Sequence, residues 1–199
     1  KPIQNNLPNR NLVWRLVQDH VQKELWFAGT EFGIYFSPNA GQKWIKLQGG
    51  VHTISFRDLA IQRRENDLVA ASFGRSFYVF DDISVLREVN DEVLKNEATL
   101  FSTRNAWWYI PRGHLGFEGK KGDQGADHFV ADNPPFGAVF TYYLKDDLKT
   151  KQQIRAAQEK KNKGNIAFPG WEALEEERME NPPKIWVEIK DANGAIVRR

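Results

Sequence analysis

Three carboxylates lead the candidate chemistry: Asp58, Asp81 and Asp82. Cleavage of a glycosidic bond needs two carboxyl groups about 5–10 Å apart across that bond, and strand ends can present such a pair. The same residues also suit turns and strand edges, where a carboxylate does no chemistry. Trp107-Trp108-Tyr109 offers a flat aromatic surface of the kind that stacks on a sugar ring. Adjacent strand residues point to opposite faces, so at least one of the three is expected in the core. The histidines, His20, His52, His114 and His128, are scattered and make no ligand pair at helical spacing, so no metal site is expected. His114 and His128 flank Asp123 and Asp127, a weaker alternative. No cysteine is present, which removes thiolate zinc sites, a cysteine nucleophile and disulfides. The glycines between 113 and 125 do not sit between a strand and a helix, so they do not read as a phosphate loop. No cofactor is expected.

Elements must position these groups, and composition limits which. The 199 residues carry a net charge of +2, with 41% hydrophobic and 13% aromatic residues, seven of them Trp. This is the make-up of a globular chain rich in β-prone residues. The balanced charge gives no electrostatic case for nucleic acid. No apolar run approaches the roughly 18 residues of a membrane span. Lys1 to Asn6 has no hydrophobic leader character, so a secretion signal, if used, is expected upstream.

Residues 12 to 80 read as short strands punctuated by glycine. Leu12 to Val17, Leu25 to Ala28, Ile34 to Phe36 and Trp44 to Leu47 suit a four-stranded antiparallel meander. The pattern then recurs. A shift of 43 positions lays Leu16 on Leu59, Leu25 on Leu68, Ala28 on Ala71, Tyr35 on Tyr78, Phe36 on Val79 and Asn39 on Asp82. A period of about 40–45 residues with four strands per unit is the pattern of propeller blades.

Residues 84 to 98 are expected to form a short helix or an irregular crossing. The runs 99–101 and 106–110 are expected to supply the outer strand of the second blade. These divisions give two blades over 1–112, a Gly/Pro-rich linker over 113–135 and the start of a β-sandwich, Ig-like domain over 136–199. That last domain would carry a helical insert at about 145–180. Within it, 136–144 is β-prone, 145–163 suits an exposed helix, and Trp171, Leu174 and Met179 mark a second helix stopped by Pro182-Pro183. Lys184 to Lys190 alternates as a half-buried strand, and Asn193-Gly194 signals a hairpin in which both residues tolerate positive φ. Two blades and a partial sandwich would leave strand edges unpaired, so the chain is expected either to self-associate, with 184–190 as the pairing edge, or to fold the partial sandwich back onto the blades.

The most specific motif is Ser37-Pro38-Asn39-Ala40-Gly41-Gln42-Lys43-Trp44. It resembles the Asp-box, Ser-x-Asp-x-Gly-x-x-Trp, with Asn in the Asp position. The run 73–82 is similar to a degenerate closing blade. Together these resemble the C-terminal part of bacterial sortilin-like, Asp-box-repeat propeller proteins, many labelled glycosyl hydrolases by similarity. The stretches 133–144 and 189–199 resemble the opening of the domain that follows such propellers. The resemblance implies a mainly β fold, and structural roles for Ser37, Asn39, Gly41 and Trp44. It also implies a secreted or cell-envelope location and a binding or scaffold function toward carbohydrate or protein, alongside the rest of the chain's own propeller. The rivals are a glycoside hydrolase of sialidase or xyloglucanase type, with most catalytic residues on other blades, and a sortilin-like peptide receptor. A sialidase site would also need an arginine cluster, and the spacing of Arg57, Arg75 and Arg112 does not gather one.

Overall fold

The computed structural model describes residues 3–110, 135–162, 164 and 167–199. The chain is mainly β, with small antiparallel sheets and two α-helices, and it divides into two compact units at 145/146. No closed barrel or propeller ring is formed among the described residues.

The first unit opens with a four-stranded meander: β1 (Val13–Gln18), β2 (Trp26–Thr30), β3 (Gly33–Ser37) and β4 (Ile45–Lys46), paired in chain order. The β2–β3 turn is tight. Gly33 takes φ +138°, and the Thr30 hydroxyl donates to the Gly33 carbonyl at 2.8 Å. A three-stranded meander follows: β5 (Phe56–Gln62), β6 (Asp67–Ser72) and β7 (Phe77–Phe80).

The two meanders pack against each other, with β1 and β2 both against β5. Contact is tight at Gly29, where a Cβ would meet the Phe56 carbonyl oxygen at 2.9 Å, so a side chain there would force the sheets apart. Phe27, Ile34 and Phe36 from the first sheet and Phe56, Leu59, Leu68 and Ala70 from the second fill the shared core. Tyr78 and Phe80 pack against it.

Facing follows the sequence repeat. In the first sheet Leu16 pairs with Ala28 and Ala28 with Tyr35, so all three share the face turned away from the second sheet, where Ala28 and Tyr35 meet Leu7 and Trp44. In the second sheet Leu59 pairs with Ala70 and Ala70 with Tyr78, and this face is the one laid on the first sheet. The sheets therefore stack face to back. The β5–β6 hairpin is one residue shorter than β1–β2, so Ala28 corresponds to Ala70 and not to Ala71.

After β7 the chain makes two 3-10 turns, Ile83–Arg87 and Val93–Lys95, where a short helix or irregular crossing was expected. Ile83 and Val89 enter the shared core from this crossing, together with Phe101. Strand β8 (Ala98–Leu100) does not extend the second meander. It pairs with β9 (Tyr142–Leu144), and the Tyr143 hydroxyl donates to the Leu94 carbonyl at 3.2 Å. The β-prone run expected to open the second domain thus belongs to the first unit, because Tyr143 finds its apolar neighbours there. Residues 106–110 form no strand. Of the expected linker, only Pro135 lies among the described residues.

The second unit holds α1 (Lys151–Lys161), α2 (Trp171–Met179) and the ribbon β10 (Ile189–Lys190) with β11 (Ile196–Arg198). A capping box between Thr150 and Gln153 starts α1. The helices meet through Arg155, whose guanidinium donates twice to Glu177 at 2.7 and 2.8 Å. The ribbon is shorter than the strand expected over 184–190, and the described residues build no sandwich: Ile185, Trp186 and Ile189 are exposed, with no second sheet to cover them. In the hairpin only Gly194 takes positive φ, and Asp191 organises the turn by accepting from the backbone N–H groups of Asn193 and Ala195.

Candidate functional site

The turn after β3 is tied by its own side chains. The Ser37 hydroxyl accepts from Gly41 N at 2.8 Å and donates to Asn39 Oδ1 at 3.1 Å, while Asn39 Oδ1 also accepts from Lys43 N at 2.8 Å. Both bonds at Asn39 use its oxygen, so a carboxylate would serve equally. Ala40 and Gly41 take φ +53° and +81°. A Cβ on Gly41 would stand a tight 3.1 Å from Ile3 Cβ, so both the backbone conformation and the space favour glycine there.

The segment before β1 closes over this turn. Asn5 Nδ2 donates to Gly41 O at 2.6 Å, and Asn6 both donates to Trp44 O and accepts from Trp44 N. Trp44 is 4% exposed, and its indole N–H donates to Ile3 O at 2.8 Å. The polar ends of the turn are satisfied and its aromatic ring is buried, which is the arrangement of a structural clasp. Sequence reasoning found the turn but not Asn5 and Asn6, because a partner about 38 residues away leaves no local signal.

Asp58 is set apart from the other two carboxylates. Asp58 sits on β5, exposed, 3.2 Å from Arg15 Nε on β1, and accepts from the N–H of Leu59. Beside it, the Arg57 guanidinium lies 3.6 Å from the Trp14 ring centroid and 5.2 Å from that of Phe73. Arg57 is therefore engaged in a cation–π stack. Arg112 lies outside the described residues.

Asp81 and Asp82 instead line one cleft with Arg64, Asp67, Arg104 and Trp107, about 650 Å3 in volume. Asp82 is in the left-handed region at φ +50°, where it caps the first 3-10 turn by accepting from Ser84 N and Oγ, and it stands 3.5 Å from Arg104 Nε. Its own N–H donates to Asp67 Oδ1 at 3.0 Å. Asp81 has no hydrogen-bond or ion-pair partner among the described residues. Arg64, Asp67 and Arg104 carried no sequence signal, since three separate segments meet here.

Of the aromatic triplet, Trp107 lines the cleft and is 54% exposed. Trp108 and Tyr109 pack on Phe136 at centroid distances of 5.9 and 5.4 Å. The triplet thus divides into one cleft-facing ring and two packed on Phe136; none of the three is buried in the core, where at least one was expected, because this stretch forms no strand and so has no inward face. Among the described residues no cluster of three metal-ligating side chains is present. His52 Nδ1 is 2.8 Å from the Tyr78 hydroxyl and His20 is 3.6 Å from Asp19. His114, His128, Asp123 and Asp127 lie outside the described residues. No described helix is long and apolar enough to cross a membrane.

No family model, no curated protein and no solved structure matches the chain.

Proposed function

We propose that the chain is a binding and scaffold portion of an Asp-box β-propeller protein, presented in the secreted or envelope compartment, where it holds a carbohydrate or protein ligand. The supporting observation is the face-to-back stacking of the two meanders. By the 43-residue shift, Phe77 and Val79 stand where the first sheet has Ile34 and Phe36. The latter pair is 0% and 6% exposed, buried by the next sheet; Phe77 and Val79 are 70% and 57% exposed. They occupy the outer face of the second sheet, with Val79 opposite Val69 and Phe77 opposite Ala71. A third sheet of the same kind is the occupant this face fits, and continued stacking of that sort builds a propeller.

Binding is favoured over hydrolysis by the use made of the carboxylates. Asp58 is held by Arg15, and Asp82 is spent on a cap and on Arg104, so neither is a free partner for Asp81.

Sedimentation velocity over a wide concentration range tests the scaffold reading. The chain is expected to self-associate through the outer face, and Phe77→Lys with Val79→Lys to be monomeric with an unchanged melt. A chain that is monomeric throughout, or a double variant that associates equally, would contradict it.

A further inference from the structure

We propose that the cleft beside Asp81 and Trp107 is a binding site for a neutral pyranose saccharide. The proposal deepens the binding reading above, on which it rests, by naming the site and the ligand class.

The volume of about 650 Å3 falls within the roughly 300–1,000 Å3 of small-ligand sites. Both guanidinium groups on the wall already face a carboxylate, and one further carboxylate is hydrogen-bonded to backbone. Arg64 Nε contacts Glu65 at 3.0 Å, Arg104 contacts Asp82 at 3.5 Å, and Asp67 receives the Asp82 N–H. An anionic ligand would meet four carboxylates; a cationic one would have to compete with Arg64 and Arg104, which already hold Glu65 and Asp82. A neutral ligand with many hydroxyls avoids both costs.

The groups left over suit such a ligand. Asp81 is an acceptor without a partner among the described residues, and Ser102 and Thr141 bring hydroxyls that can donate or accept. The half-exposed indole of Trp107 supplies a flat apolar platform, while Val85, Pro135 and Val139 complete the apolar share of the wall. One face of a pyranose ring is lined by C–H bonds and its rim by hydroxyls, so it can lie on the indole and reach Asp81 at the edge.

A printed array of neutral and acidic oligosaccharides, with hexa-arginine as a cationic control, is the test, followed by calorimetric titration of the strongest ligand. Retention of neutral glycans is expected. Trp107→Ala should weaken binding by about tenfold or more, as truncating a central aromatic anchor does, and Asp81→Asn should weaken it measurably. Trp107→Phe should restore most of the affinity. Melting curves of the variants should match the parent, since both side chains are exposed. No retention of neutral glycans, retention only of acidic glycans or hexa-arginine, or neutral-glycan binding untouched by Trp107→Ala would overturn the proposal. In that last case the chain would still bind glycan, so the site assignment would fail while the binding reading stood.

Discussion

Arg87 donates to both carboxylate oxygens of Asp19, from Nε at 2.9 Å and from Nη2 at 3.0 Å. The pair joins the β1–β2 hairpin of the first sheet to the turn that leaves the second. Asp19 is fully buried and also accepts from the N–H groups of Val21 and Gln22, and Arg87 reaches on to Asn66 Oδ1 at 2.7 Å. Removing one partner strands the other. Arg87→Ala should cost on the order of 3–5 kcal/mol, because it leaves a buried carboxylate uncompensated. Chemical denaturation of the variant checks this, and a loss below about 1 kcal/mol would show that water reaches Asp19.

The same pair sets a pH dependence. Burial alone would raise the Asp19 carboxyl, but the Arg87 hydrogen bonds, the two backbone N–H groups and the guanidinium charge outweigh it and hold it below the ordinary carboxylate range. A carboxyl depressed by folding contributes stability that is present above its unfolded pKa and lost as pH falls through the folded one. The melting temperature should therefore drop on acidification below the ordinary carboxylate pKa. Asp19→Asn should flatten that limb of the curve while lowering stability at neutral pH. An acid limb of unchanged steepness in the variant would place the titrating group elsewhere.

In the β3–β4 turn, Trp44→Ala should cost about 3–5 kcal/mol for a buried aromatic. Asn39→Ala should cost about 0.5–1.5 kcal/mol for its two accepted hydrogen bonds. Asn39→Asp should be close to neutral, since both bonds use Oδ1. Thermal melts distinguish the three, and a parent-like Trp44→Ala would mean that the N-terminal segment does not close over the turn.

Catalysis makes a separate prediction. With Asp58 and Asp82 both engaged, chromogenic glycosides, a sialoside included, should not be turned over. Turnover abolished by Asp81→Asn or Asp82→Asn would move the chain to the hydrolase reading.

Local patterns carried the fold as far as each sheet. Glycine-bounded β runs and the 43-residue recurrence marked the seven strands of the two meanders, and Ser37, Asn39, Gly41 and Trp44 marked the β3–β4 turn, because all of these depend on neighbours within a few residues. What escaped depended on distance in sequence. The pairing of β8 with β9 spans more than forty residues, and Asp19 with Arg87 spans 68. The cleft had the same fate: Asp81, Asp82 and Trp107 stood out by type, but their convergence with Arg64 and Arg104 is a product of tertiary packing. The strand expected over 184–190 shrinks to Ile189–Lys190, because alternation predicts burial only where a second layer exists to bury against.

We propose that the outer face of the second sheet continues the stack that buries Ile34 and Phe36. Carbene footprinting across a concentration series measures it at the residues concerned. Ile34 and Phe36 should be protected at every concentration. Phe77 and Val79 should label freely when the chain is dilute and become protected in step with association. Phe77 and Val79 that stay labelled while the chain associates, or a chain that never associates, would contradict continued stacking on this face.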